Sequence, residues 1–165
     1  HLNRFFYSAG AMHLSISKTK EELATIIYGL IKRSDEGENG IRILLTGGYS
    51  PDGFLPGTPN LIVTCKKLVT ASAEKYKKGI SIITYAHQRE LPDIKSTNYL
   101  VAVWLQPLLK ERNADDVLYF RDNCLTEFPR GNIFIVTNEG TLVTPARNIL
   151  KGITRIHIIN LAKGF

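Results

Sequence analysis

The chain has 165 residues, 44% hydrophobic and 22% charged, a balance ordinary for a soluble globular protein of one domain or two small ones. Its formal net charge of +6 and pI of about 9.4 suit nucleic acid or an anionic small molecule. The lysines cluster only loosely, at Lys66-Lys67 and at Lys75, Lys77 and Lys78, without zinc-finger spacing, so a nucleic-acid role is not expected. Cys65 and Cys124 give neither a disulfide framework nor metal-ligand spacing. Free core thiols in a cytoplasmic protein, and no metal, are the expectation. An apolar run such as 100–105 is far short of the roughly 20 residues that span a membrane, and no leader pattern opens the chain.

Residues 1–12 place Leu2, Phe5, Phe6 and Ala9 at helical spacing, with Arg4 on the flank of that face. Thr19-Lys20-Glu21-Glu22 reads as a capping box. The helix it opens is expected to bury Leu23, Ile26, Ile27, Leu30 and Ile31. An acidic, glycine-containing loop over 34–40 leads to a strand over 41–46. A turn-rich segment over 47–59 precedes a second strand over 60–65. These elements form a small α/β lobe, residues 1–66, and the lysine-rich stretch 67–78 reads as a linker. A larger lobe, 79–165, begins with a strand over 79–86 and continues into a helix over 99–112 kinked at Pro107. Strands follow over 116–121, 125–128, 132–137 and 141–144, the last two joined by the hairpin signal Asn138-Glu139-Gly140. A helix over 154–163 closes the chain, with Ile156, Ile159 and Ala162 as its apolar face.

Three stretches carry possible chemistry. Lys95 lies at the mouth of an α/β junction, just ahead of a helix start, where the helix dipole favours anions and gives an ammonium nothing. A desolvated lysine there suits attack on a carbonyl, and the plainer reading is a surface lysine. Glu127 falls near a strand end before a Pro/Gly bend, where a carboxylate can face a pocket or merely meet solvent. Gly152 opens a helix whose first residues are Ile153 and Thr154, which makes an anion site or only an ordinary helix start.

Taken together, a lysine, a glutamate 32 residues on, and Gly-Ile-Thr-Arg another 25 on resemble the class IV aminotransferases. These are the fold-type IV pyridoxal-phosphate (PLP) enzymes, which include branched-chain aminotransferase, D-amino-acid aminotransferase and aminodeoxychorismate lyase. The opening His1-Leu2-Asn3-Arg4-Phe5-Phe6-Tyr7-Ser8-Ala9 is similar to that family's first helix, so the likeness runs from Arg4 to Arg155. It implies an α/β (α+β) fold of two lobes with PLP between them, in a homodimer. It also implies a role at each matching position. Lys95 matches the lysine that holds PLP and moves the substrate proton. Glu127 matches the acid beside the pyridine nitrogen. Arg4 matches the phosphate-binding arginine. Ile153 and Thr154 match the other phosphate donors, Leu150 the leucine packed on the ring, and Tyr99 a tyrosine that bonds the phenolic oxygen. The implied reaction moves an amino group from an α-amino acid, branched-chain-like, to a 2-oxo acid. Its rivals are the lyase reaction, which releases pyruvate and 4-aminobenzoate, and a non-catalytic homologue.

The chain departs from the family pattern in several places. Phe128-Pro129-Arg130 follows Glu127 where the family usually carries a small residue. The link over 144–150 is shorter than usual. Thr46-Gly47-Gly48 stands where the D-amino-acid enzymes carry a carboxylate-trapping Thr-Arg-Gly. The chain is expected to be truncated at both ends, without the family's first strands and last strand-and-turn portion.

Overall fold

The computed structural model describes residues 1–34 and 38–164. Positions 35–37 of the expected acidic loop lie outside the described residues. The chain divides into two compact units, His1–Ser72 and Ala73–Phe165.

The first unit opens with α1 (Leu2–Ala11), whose buried residues are Ser8 and Ala9. His13 ends it in the left-handed region at φ 57°. Leu14 N–H then reaches Ala9 O and His13 N–H reaches Gly10 O, a Schellman closure with histidine in glycine's usual place. Helix α2 (Lys20–Lys32) starts with both halves of the capping box. Glu22 N–H donates to Thr19 Oγ1 at 3.1 Å and Thr19 N–H to Glu22 Oε2 at 2.8 Å. The Thr19 backbone donor, and then Lys18, hold the Glu22 carboxyl below its usual range. Of the five residues expected inside α2, only Leu23 is fully buried, and Ile26 is exposed. The helix packs on β2, which covers less than the whole apolar stripe.

Strands β1 (Asn39–Thr46) and β2 (Asn60–Lys67) pair antiparallel from Asn39↔Lys67 to Thr46↔Asn60. The loop between them begins as two closely apposed limbs. Gly57 N–H donates to Gly47 O at 2.7 Å. A Cβ on Gly48 would lie 1.9 Å from Thr58 O, and one on Gly57 would lie 2.1 Å from Tyr49 O. Only glycine lets the backbones approach this closely. Cys65 is half-buried, with Sγ 3.0 Å from Asn39 Oδ1.

The second unit opens with α3 (Ala73–Lys78), inside the stretch read as a linker. It carries no apolar stripe, which is why periodicity misses it. The Lys78–Glu74 pair at 2.6 Å is on its exposed surface, and Gly79 at φ 75° ends it. Strand β3 therefore starts only at Ile82 and runs to Ala86.

The expected 99–112 helix is two helices, α4 (Leu100–Trp104) and α5 (Gln106–Glu111). Pro107 has no N–H to give and its ring crowds the carbonyl four residues back, so the helix breaks at Leu105. Pro107 then sits in the first turn of α5, where no donor is missed. Strand β4 (Asp116–Arg121) runs parallel to β3, from Ile82↔Asp116 to Ala86↔Phe120. Leu105, Leu109, Val117 and Tyr119 form the core between this sheet and the helices, with Ile83, Tyr85 and Val101 around them.

Asp122 and Asn123, at φ 50° and 60°, turn β4 into β5 (Cys124–Leu125). Cys124 is exposed, so neither cysteine is a core thiol. The expected 125–128 strand is broken at Thr126, whose N–H and hydroxyl both donate to Tyr119 O. Strand β6 (Glu127–Phe128) then pairs with β7 (Gly131–Asn132) across a two-residue Pro129-Arg130 turn, in the register Glu127↔Asn132. Strands β8 (Ile135–Val136) and β9 (Leu142–Val143) make the expected hairpin, with Gly140 at φ 78°. Helix α6 (Ile153–Ala162) closes the chain. Its expected apolar face is not buried, since Ile156 is 40% exposed. Among the described residues no helix is long and apolar enough to cross a membrane.

Candidate active site

Lys95 lies in the loop between β3 and α4, beside the buried Ile94. It is exposed within its own unit, contrary to the expected desolvation. Its Nζ donates to Tyr99 Oη at 2.8 Å, an amine and a phenol held together at the start of α4. The loop is braced from behind by Arg89. Its Nη1 donates to Ile94 O at 3.2 Å and its Nη2 to Pro92 O at 2.6 Å.

The third arm of the same guanidinium reaches Glu127, with Nε 2.8 Å from Oε1. The Glu127 side chain is 5% exposed and that of Arg89 is 15% exposed, so the pair is well shielded from water. Glu127 is thus not a solvated loop acid. Its second oxygen, Oε2, accepts Leu150 N–H at 2.8 Å. Leaving either charge of a pair like this unmatched costs about 3–5 kcal/mol.

The segment entering α6 is tied down along its length. Gln88 Nε2 donates to Asn148 O at 3.1 Å, where Asn148 has a φ of 58°. Ile149 is 1% exposed. Asn132 Nδ2 donates to Leu150 O at 2.9 Å and its Oδ1 accepts Gly152 N–H at 3.1 Å. A Cβ on Gly152 would sit 2.3 Å from that Oδ1, so glycine here serves close approach. Arg155 Nε donates to Thr144 Oγ1 and its Nη2 to Pro145 O, at 3.2 and 2.8 Å. Gly152 is the N-cap of α6 and supplies no side chain. The N–H groups of Ile153 and Thr154 have no intrahelical carbonyl to reach, which is the local chemistry of an anion site.

The structure therefore joins Lys95 to Tyr99 and Glu127 to Leu150 directly. It joins the two pairs to each other through Arg89. Arg4 lies half-buried on α1 in the first unit. Arg89, Asn132 and Gln88 were not singled out by sequence. A signal did exist for Asn132, because a two-residue turn at Pro129-Arg130 makes it the cross-strand partner of Glu127.

The sequence profile described as amino-transferase class IV matches residues 1–165. The chain belongs to that family. Class IV relatives include a Methanocaldococcus jannaschii protein provisionally named a branched-chain-amino-acid aminotransferase. It is 31% identical over 174 residues, covering 99% of this chain and 59% of that protein. A D-alanine aminotransferase of Listeria monocytogenes is 30% identical, with the same coverage. A Legionella pneumophila structure, provisionally named a 4-amino-4-deoxychorismate lyase, superposes with a TM-score of 0.87 at 25% identity. It matches over 99% of this chain and 62% of its own. The fold is thus that of the fold-type IV enzymes. The chain spans about three fifths of the length of these relatives.

Proposed function

We propose that the protein is a PLP-dependent class IV aminotransferase, acting on an α-amino acid, branched-chain-like, and a 2-oxo acid, as a cytoplasmic homodimer. The observation that carries the reading is the buried Glu127 carboxylate, tied through Arg89 to the loop of Lys95 and directly to Leu150 ahead of α6. An amine, a phenol, a shielded carboxylate and an open helix N-terminus are the donor set that PLP needs. When bound, PLP supplies a ring that accepts electron density from the substrate's Cα.

The chain's residues then divide the work. Lys95 Nζ would hold the cofactor and would take and return the substrate Cα proton. Tyr99 Oη would bond the cofactor's phenolic oxygen. Glu127 would pair with the pyridine nitrogen and Leu150 would pack on the ring. Ile153 N–H, Thr154 and Arg4 would bind the phosphate, where a guanidinium fork matches a dianion. The net charge of +6 suits anionic substrates.

A second reading, the lyase, is supported by the Legionella superposition. It makes pyruvate without an amino acceptor, and the transaminase does not. Thr46-Gly47-Gly48 lacks the arginine of the D-amino-acid carboxylate trap, which favours the branched-chain side over D-alanine. The test is an absorption spectrum with PLP, borohydride reduction with peptide mapping, and a panel of L- and D-amino donors. A visible band, an adduct at Lys95 and amino transfer to a 2-oxo acid are the expected results. A colourless protein with no adduct refutes the reading.

A further inference from the structure

We propose that Arg89 and Asn132 are positioning residues, which lock the loop of Lys95 and the N-terminus of α6 onto the two oxygens of Glu127. Two side chains have the shape for this task. Arg89 spends its three nitrogens on three different acceptors: Glu127 Oε1, Ile94 O and Pro92 O. Pairing with an acid would need only the first. The other two fix the backbone immediately before Lys95. A guanidinium can do this because it is planar and carries its donors in a rigid fork, whereas a lysine offers one nitrogen.

Asn132 does the matching task on the far side. Its amide presents a donor to Leu150 O and an acceptor to Gly152 N–H. Leu150 N–H meanwhile donates to Glu127 Oε2. The path is continuous from the carbonyl of Ile94, next to Lys95, to the amide of Gly152, next to Ile153. Each link is a direct hydrogen bond, and the path runs through Glu127. Gly152 is part of the same device, since a Cβ there would strike Asn132 Oδ1.

The consequence for chemistry rests on the reading of Lys95 and Glu127 as PLP residues. A cofactor held at several points would need the Lys95 amine at one distance from its reacting carbon. Arg89 would set that distance by fixing the carbonyls of Pro92 and Ile94. Loss of its fork leaves the phosphate contacts of α6 in place and lets the amine wander.

The test uses the whole protein as its gene encodes it, with Arg89→Lys, Arg89→Met and Asn132→Asp. The first arm needs no cofactor. Amide hydrogen exchange is followed in peptides covering 90–98 and 149–156. Both Arg89 variants are expected to speed exchange in 90–98, and Asn132→Asp to speed it in 149–156, by about tenfold, the scale of a lost hydrogen bond to a charged group for Arg89 and of the Leu150 carbonyl left without its donor for Asn132. Unchanged exchange in both peptides overturns the proposal. The second arm adds PLP and measures its dissociation constant and the rate of borohydride-trappable adduct formation at Lys95. Arg89→Lys is expected to bind PLP within about threefold of wild type while adduct formation slows about tenfold. A merely structural Arg89 lowers the melting temperature and leaves that rate unchanged in the folded fraction, which overturns the proposal. Should Arg89→Met fail to fold, Arg89→Lys and Asn132→Asp carry both arms. No adduct in the wild type instead refutes the PLP reading, and this inference with it. A wild-type adduct with unaltered variants refutes the inference alone.

Discussion

Glu127 holds two structural bonds besides any part in catalysis, and this changes what its substitution reports. Glu127→Gln keeps the size but offers one acceptor oxygen where two are in use. The amide –NH2 then faces either Arg89 Nε or Leu150 N–H, donor against donor. The Arg89 guanidinium also loses its counter-charge at 15% exposure. The variant is expected to lose about 3–5 kcal/mol of stability by denaturant titration. The half-reaction rate with saturating amino donor is expected to fall as well, even when PLP occupancy is matched by absorbance. A full rate at full occupancy removes Glu127 from the pyridine nitrogen. Gly152→Ala is a sharper probe of packing. Gly152 has a φ of −63°, so no backbone strain attends the change, and the whole effect comes from Asn132 Oδ1 lying 2.3 Å from the new Cβ. Such overpacking costs about 1–3 kcal/mol. Adding Asn132→Ala removes the obstacle, so the two changes are expected to be strongly non-additive in a double-mutant cycle.

At the level of elements, the β3–β4 pair carries a pH dependence. His87 follows β3, its N–H donates to Phe120 O, and its ring packs edge-on against Tyr119 at 4.8 Å. Burial, and then the charge of Arg89, push its pKa below the ordinary 6.5. The unfolded chain therefore takes up a proton at a pH where the folded one resists it. Stability rises with pH through this window and is lost as pH falls below about 6.5. His87→Phe keeps a ring against Tyr119 and is expected to flatten the melting-temperature profile on the acid side of that value. An unchanged acid slope assigns the effect elsewhere. The legibility of these elements in the sequence followed the range of the forces that make them. The Thr19 capping box and the Asn138-Glu139-Gly140 hairpin are local; the box formed as read, and the hairpin formed with shorter strands than the expected 132–137 and 141–144, since residue 132 pairs in β7 instead. Strand β4 formed over the expected residues as a continuous apolar run, with Val117, Leu118 and Tyr119 all buried. Helix α3 was invisible because it carries no apolar stripe. The kink expected at Pro107 in the 99–112 helix appears as a break at Leu105, because a proline acts upstream of itself. Arg89 escaped notice because its partner lies 38 residues away, and no spacing rule announces a pairing at that range.

For the whole molecule, the residues read from motif alone fall in both units, Arg4 in the first and Lys95, Tyr99, Glu127, Leu150, Ile153 and Thr154 in the second. The motif reading and the geometry are independent to this extent: the motif names residues, and the geometry shows which of them share hydrogen bonds. A ligand that binds only the folded state stabilises it by RT ln(1 + [L]/Kd), about 2.7 kcal/mol at a hundredfold excess over Kd. PLP is therefore expected to raise the melting temperature in a concentration-dependent way. Arg4→Ala and Thr154→Ala each remove a proposed phosphate partner, worth about 1.5–3 kcal/mol for a charge-assisted bond, or roughly tenfold or more in affinity. Their melting-temperature curves are expected to shift to about tenfold higher PLP, and Thr154→Ala is expected to keep the cofactor-free value, since Thr154 is exposed. The phosphate does not react, so turnover at saturating PLP is expected to change far less than affinity. Curves that superimpose on wild type in both variants would show that the phosphate is held elsewhere, and would detach α1 and the N-terminus of α6 from the cofactor while leaving Lys95 and Glu127 untouched.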